Sequence, residues 1–199
     1  WKYFNCVMQY EIKQVDKFRF IEEGEGQPLV LLHGLFGALS NFVDLVEYFR
    51  KHYKVVVPML PLFDLDILHT SVGGLAKFVH KFIENRNYRN VHLLGNSLGG
   101  HVALIHVLKN PERIRSIILT GSSGLFESAM GDTYPKRGDY DYIKKKTELT
   151  FYDPKIATKE LVDEVYEIVN NRIKAIKIIA LAKSAIRNNL GEELNQIKQ

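Results

Sequence analysis

The sequence has a single cysteine, Cys6, in 199 residues. No disulfide can form within the chain, and a reducing, cytoplasmic setting is the expectation this cysteine usage gives. No apolar run reaches the ~18 residues a membrane span requires, so no membrane span is expected. The opening residues, Trp1-Lys2-Tyr3-Phe4-Asn5, do not read as a signal peptide, although Trp1 in place of an initiator methionine is compatible with a segment ahead of it. Charge of one sign is also scarce: 27 Lys and Arg stand against 23 Asp and Glu, a net charge of +4. Lys144-Lys145-Lys146 is the densest basic run, and no aromatic or Gly-rich nucleic-acid motif follows it. It reads as a solvated patch, and no nucleic-acid partner is expected. No His, Cys and Asp cluster has ligand spacing, so neither metal nor cofactor is expected. The most informative scarcity concerns histidine: seven are present, and none follows His106.

What remains is an ordinary globular composition, 46% hydrophobic and 25% charged, at a length suited to one domain of roughly 100–200 residues. Lys17-Phe18-Arg19-Phe20-Ile21 alternates as a half-buried strand does, with a turn at 22–26. Pro28–Leu32, Tyr53–Val57, Val91–Leu94 and Ile114–Thr120 are continuous apolar runs, as expected of parallel strands covered on both faces. Between them lie helical stripes: Phe42, Leu45, Val46 and Phe49, with Ser40 as a candidate N-cap; Leu75, Phe78, Val79 and Phe82; and Leu98 to Leu108. Strand–helix alternation with short connections implies a parallel sheet with helices on both faces. After Gly124 the rhythm changes. Residues 125–152 are polar, with no strand, and two helices follow, one carrying Leu161, Val162, Val165, Tyr166 and Val169. The other, over roughly 171–188, has Ile173, Ile176, Ile179, Ala180 and Ile186 as its apolar positions.

Ser97 lies in Gly95-Asn96-Ser97-Leu98-Gly99-Gly100, between an apolar strand and an apolar helix. A serine at such a sharp turn projects its hydroxyl from a strained backbone, and flanking glycines let strand and helix approach. The helix behind it offers free N–H groups and a positive dipole end to a developing oxyanion. His33-Gly34-Leu35-Phe36-Gly37, after the Pro28–Leu32 strand, occupies the place where a second amide donor is needed.

With these two motifs in this order, the chain resembles the α/β-hydrolase superfamily over essentially its whole length, closest to small esterase-like members with HGLFG, GNSLGG and a helical lid. The resemblance implies an α/β fold, a mostly parallel sheet with helices on both faces, with its C-terminal strands and helices missing. It implies residues 1–124 as the N-terminal part of the core, 125–190 as the lid, and 191–199 as the return toward the missing part. It assigns Ser97 as nucleophile and the amides of Leu35 and Leu98 as oxyanion donors. His33, Gly34, Gly37, Gly95 and Gly99 support the motifs, and Phe36 is a candidate pocket residue. His33 is expected to shape its loop by hydrogen bonding, and His101 and His106 to be packed or solvated on the helix behind Ser97. His69 lies in a loop that could reach the pocket mouth.

The family order is nucleophile, acid, histidine, and nothing after His106 can be the base. Glu127 is the candidate acid, Asp132 a weaker one; Asp139, Asp141 and Asp153 read as surface or capping residues. The strand Ile114–Thr120 would then be a bare sheet edge, to be covered by a missing C-terminal segment or by a dimer partner. The implied reaction is hydrolysis of a small-molecule ester through an acyl-enzyme, in a chain that alone lacks its base. Carbon–carbon bond hydrolases and cofactor-free haloperoxidases share the framework, and a non-catalytic binding protein of the same fold is the reading from another class.

Overall fold

The computed structural model describes residues 10–36, 42–125 and 136–199; Gly37, Ser40, Glu127 and Asp132 lie outside the described residues. Six strands, β1 (Lys13–Val15), β2 (Phe18–Glu23), β3 (Pro28–Leu32), β4 (Lys54–Pro58), β5 (Val91–Asn96) and β6 (Ile114–Thr120), form one sheet in the order β1-β2-β4-β3-β5-β6. The β1–β2 and β2–β4 pairs are antiparallel, and β4–β3, β3–β5 and β5–β6 are parallel. Pro58, expected to end the β4 run, is its last paired residue, opposite Phe20.

The two-residue period of the strands sorts their side chains into two layers. Phe20, Val30, Leu32, Val56 and Leu93 face one core cluster, while Ile21, Leu29, Leu31, Val55 and Val57 face the other. The first layer is covered by α2 (Val72–Asn85) and α3 (Leu98–Lys109), the second by α1 (Val43–Phe49). Ten of the twelve α3 residues are buried, which explains why its sequence is apolar all round rather than on one stripe. β6 ends the sheet with Ile118 and Leu119 exposed.

Three helices form a cap: α4 (Tyr140–Glu148), α5 (Lys159–Asn170) and α6 (Arg172–Arg187). Asp139, Thr158 and Asn171 each accept a hydrogen bond from a first-turn amide of the helix they open. Helix α4 lies in the stretch read above as polar and without a strand. It is short and strongly polar, and it buries only Ile143 and Thr147, so its apolar period is too sparse to recognise. The isoleucines of α6, named above as apolar positions, do not form its buried face. Ile173, Ile176, Ile179 and Ile186 are exposed, and the helix packs through Leu181, Ser184 and Ala185. When both faces of a helix carry apolar residues, periodicity does not select the buried one.

The cap is joined to the core by polar contacts. The Val72 amide, an orphan donor at the start of α2, donates to Ser184 Oγ (3.1 Å). Lys177 Nζ donates to the carbonyls of Phe63 (2.7 Å) and Leu65 (2.6 Å). The Leu190 amide donates to the Gly124 carbonyl (2.8 Å).

Two glycines give opposite expectations. A Cβ on Gly99 would lie 2.1 Å from the Leu32 carbonyl oxygen, so Gly99→Ala should destabilise the fold by about 3 kcal/mol or more. At Gly73, in the first turn of α2, the nearest atom to an added Cβ is 4.0 Å away. Gly73→Ala should stabilise by up to about 1 kcal/mol. Urea unfolding midpoints of the two variants check both signs.

Candidate active site

Ser97 connects the end of β5 to the start of α3 with φ 52° and ψ −118°, a positive φ that costs a non-glycine residue about 1–3 kcal/mol. Hydrogen bonds surround the strained residue. Its N–H donates to the Thr120 carbonyl (3.1 Å), and its own carbonyl accepts from the amides of Gly100 (3.0 Å) and Ser123 (3.1 Å). Asn96 Nδ2 donates to the Thr120 carbonyl and hydroxyl (both 3.1 Å). The end of β6 thus holds the turn from the side. The Ser97 hydroxyl does not cap α3, and the residue is exposed. An added Cβ on Gly95 would lie 2.4 Å from the Gly99 carbonyl oxygen, so the tight approach of strand and helix requires glycine there.

The His33–Phe36 segment lies against this turn: a Cβ on Gly34 would sit 3.2 Å from Ser97 Cβ. Leu98, buried, is the first residue of α3; Leu35, half-buried, follows Gly34. His33 is buried, with Nδ1 donating to the Gly34 carbonyl (2.9 Å) and Nε2 accepting from the Leu60 amide (3.1 Å). Burial holds its pKa below the ordinary histidine value, which agrees with the neutral tautomer these bonds require. Both ring nitrogens are engaged, so His33 braces its loop and is no base.

Between this loop and α5 lies a cavity of about 190 Å³. Its core side includes His33, Leu35, Phe36 and Phe63; its cap side is Glu164 and Ile168. Phe36 therefore lines the space beside the turn. Asp64 and Glu164, also in its wall, carried no signal in the sequence, because a carboxylate on a polar loop or an amphipathic helix reads as solvated.

The other histidines lie elsewhere. His69 is exposed and paired through Nδ1 with Asp66 (2.7 Å), three residues away. His101 is fully buried, its Nε2 donating to the Asn188 carbonyl (2.8 Å). His106 is fully buried against His80 (5.7 Å between ring centroids), with neither ring nitrogen hydrogen-bonded. His92 Nδ1 pairs with Ser116 Oγ (2.7 Å). His52 lies just after α1, its ring 6.4 Å from that of Tyr48, and among the described residues no imidazole is hydrogen-bonded to the Ser97 hydroxyl. Asp139 and Asp153 cap helical turns, and Asp141 is exposed in the first turn of α4. Among the described residues no group of three or more His, Cys, Asp or Glu could hold a metal ion, and no helix is long and apolar enough to cross a membrane.

The sheet order, the strained serine and the loop packed on it define a hydrolase architecture, and the comparisons agree. The family model described as "alpha/beta hydrolase fold" matches residues 27–150, more than half of the chain, and the protein belongs to that family. It is similar to MGS-MChE2, an alpha/beta hydrolase enzyme from the metagenome of lagoon sediments at Mar Chica, Morocco. Identity is 42%, covering 95% of this chain and 72% of that one, with a TM-score of 0.76. Among curated relatives, monoacylglycerol lipase abhd6-B of Xenopus laevis is 24% identical, over 96% of this chain and 65% of its own length. The 2-hydroxy-6-oxo-6-phenylhexa-2,4-dienoate hydrolase of Comamonas testosteroni is 26% identical over 78% and 61% respectively. The chain spans about half to two-thirds of the length of the curated relatives it matches.

Burial holds the His106 pKa down to about 4, with the charge of His80 acting in the same direction. The native state keeps this ring neutral where the unfolded chain, titrating near 6.5, takes up a proton. Stability is therefore lost as pH falls from about 6.5 towards 4, by about 3 kcal/mol from this residue. His33 acts in the same direction. His106→Leu should remove the His106 part, so the wild-type minus variant difference in urea unfolding free energy should change by that amount between pH 7 and pH 4.

Proposed function

We propose that this protein is a serine hydrolase that cleaves carboxylic esters through an acyl-enzyme on Ser97. The observation that carries this reading is the strained Ser97 backbone, φ 52°, with the Gly34 backbone packed against it. Strain of this kind persists where the surroundings over-determine it, and it clusters at active sites. In the proposed reaction Ser97 Oγ attacks the ester carbonyl carbon, and the negative charge on the carbonyl oxygen is received by the Leu35 and Leu98 amides and the N-terminus of α3. Collapse breaks the bond to the alcohol oxygen, which leaves with a proton, and water then cleaves the acyl–serine bond. Gly34, Gly95 and Gly99 admit the close approach of backbone, and His33 fixes the loop that carries Leu35.

Proton transfer to and from Ser97 is assigned to a histidine–carboxylate pair from outside these 199 residues. On this reading residues 1–124 are core, 125–190 lid and 191–199 the return to the core, and the β6 edge is covered by further chain or by a second copy. Carbon–carbon bond hydrolysis on the same serine is the second reading, supported by the similarity to the Comamonas testosteroni dienoate hydrolase. The retained strain at Ser97 argues against a purely binding role.

In a form of the protein that carries the histidine–carboxylate pair, a fluorophosphonate probe should label Ser97 and no other serine. Ser97→Ala should lower p-nitrophenyl ester turnover by at least about 10³-fold in any form of the protein that has it. The 199-residue chain alone is expected to reach no more than roughly 10³–10⁴-fold over water. Turnover of a vinylogous diketone with none of the esters would transfer the assignment to carbon–carbon hydrolysis. Ester turnover untouched by Ser97→Ala would overturn the serine mechanism.

A further inference from the structure

The cavity between the His33–Phe36 loop and α5 is lined, among the described residues, by apolar side chains, His33 and two carboxylates. Leu35, Phe36, Phe63 and Ile168 contribute apolar surface. His33 has both ring nitrogens committed to Gly34 and Leu60, so it has no donor to give. Among the described residues the remaining polar side chains of the wall are Glu164, half-buried, and Asp64, exposed.

Glu164 is half-buried on α5, and among the described residues no hydrogen bond or ion pair holds its carboxylate. Its neighbour Asp163 contrasts with it, tied by Tyr140 Oη (2.6 Å) and Lys159 Nζ (2.5 Å). Burial raises the Glu164 pKa, the charge of Glu167 adds to the rise, and Lys174 works against it. The Lys174 ammonium is engaged over the Phe63 ring, 5.4 Å from its centroid, and forms no salt bridge with Glu164. A partly desolvated carboxylate without a partner among the described residues costs stability, and such a group lining a cavity is a mark of ligand recognition.

We propose that Glu164, with Asp64 at the rim, determines specificity: the cavity receives one arm of the substrate that is apolar along its length and ends in a hydrogen-bond donor, an ammonium or a hydroxyl, and it rejects an arm ending in a carboxylate. The proposal rests on the ester-hydrolase reading for the identity of the substrate. The volume suits it, since a cavity near 150 Å³ admits benzene and about 190 Å³ accommodates a short alkyl chain. A wall whose charged side chains, among the described residues, are both carboxylates also discriminates against an anionic arm, which would bring like charge against them.

The test is calorimetric titration of the protein with n-hexylammonium, n-hexanol and n-hexanoate, followed by the isosteric variants Glu164→Gln and Asp64→Asn. Hexylammonium should bind tightest and hexanoate weakest, with about a hundredfold between them. Glu164→Gln should shrink that ratio about tenfold and Asp64→Asn should remove most of the rest, as one opposed charge each. Matched p-nitrophenyl esters of ω-amino and ω-carboxy acids should follow the same order in kcat/KM. Hexanoate binding as well as hexylammonium would overturn the proposal in the unmodified protein, whatever the variants do. A ratio unchanged in both variants, with their thermal melts intact, would overturn the assignment to these residues. Failure of a form of the protein that carries the histidine–carboxylate pair to turn over any ester would remove the ester reading, while the titration would still decide the selectivity.

Discussion

The site depends on how closely α3 approaches the carboxyl ends of β3 and β5. Helix and strands meet where Gly99 faces the Leu32 carbonyl and Gly95 faces the Gly99 carbonyl, with no room for a side chain at either position. That approach forces the chain to turn within one residue, and Ser97 takes the positive φ that the turn requires. The loop after β3 is then brought against the turn, so Gly34 and Ser97 become neighbours. Thr120 and Ser123, at the end of β6, complete the support. Three parallel strands thus converge on one residue. This is the general property of such sheets, in which sites form at the carboxyl ends of the strands.

A second group of contacts determines what lies over that residue. The cap touches the core through few apolar side chains, chiefly Leu181 and Ala185, and through the polar contacts of Lys177, Ser184 and Leu190. Because Lys177 binds the carbonyls of Phe63 and Leu65, the cap helices and one wall of the cavity form one connected piece. His33 makes a corresponding link on the core side, from Gly34 to Leu60. The cavity is bounded by two cross-braced loops, with α5 laid across them.

Most of the core was legible in the sequence, since buried parallel strands announce themselves as unbroken aliphatic runs. Val91–Leu94 and Ile114–Thr120 are strands where the runs place them, and the Gly95–Gly100 motif placed Ser97 between strand and helix. The cap was read less well, for physical reasons. Helix α4 buries two residues and leaves no stripe to detect. Helix α6 has apolar residues on both its buried and its exposed faces, so its apolar positions do not single out the face that packs. Glu164 and Asp64 were invisible because a carboxylate in a cavity and a carboxylate in water have the same letter and neighbours. Conversely, the structural roles expected of His33 and of Asp139 and Asp153 follow from chemistry that is local in sequence, and the described residues place them so.

The Lys177 clamp has a consequence for how the cap responds to its surroundings. Its partners are carbonyl dipoles rather than carboxylates, and it sits partly within the fold. Mobile ions screen exposed pairs of opposite charge over a Debye length of roughly 10 Å at 0.1 M, as they do the Lys144–Glu148 pair on α4. Lys177, part-buried and paired with neutral carbonyls, is reached less by mobile ions than that exposed pair is. Attachment of α6 to the 63–65 loop therefore keeps its strength across ionic strengths at which the surface ion pairs of the cap have faded.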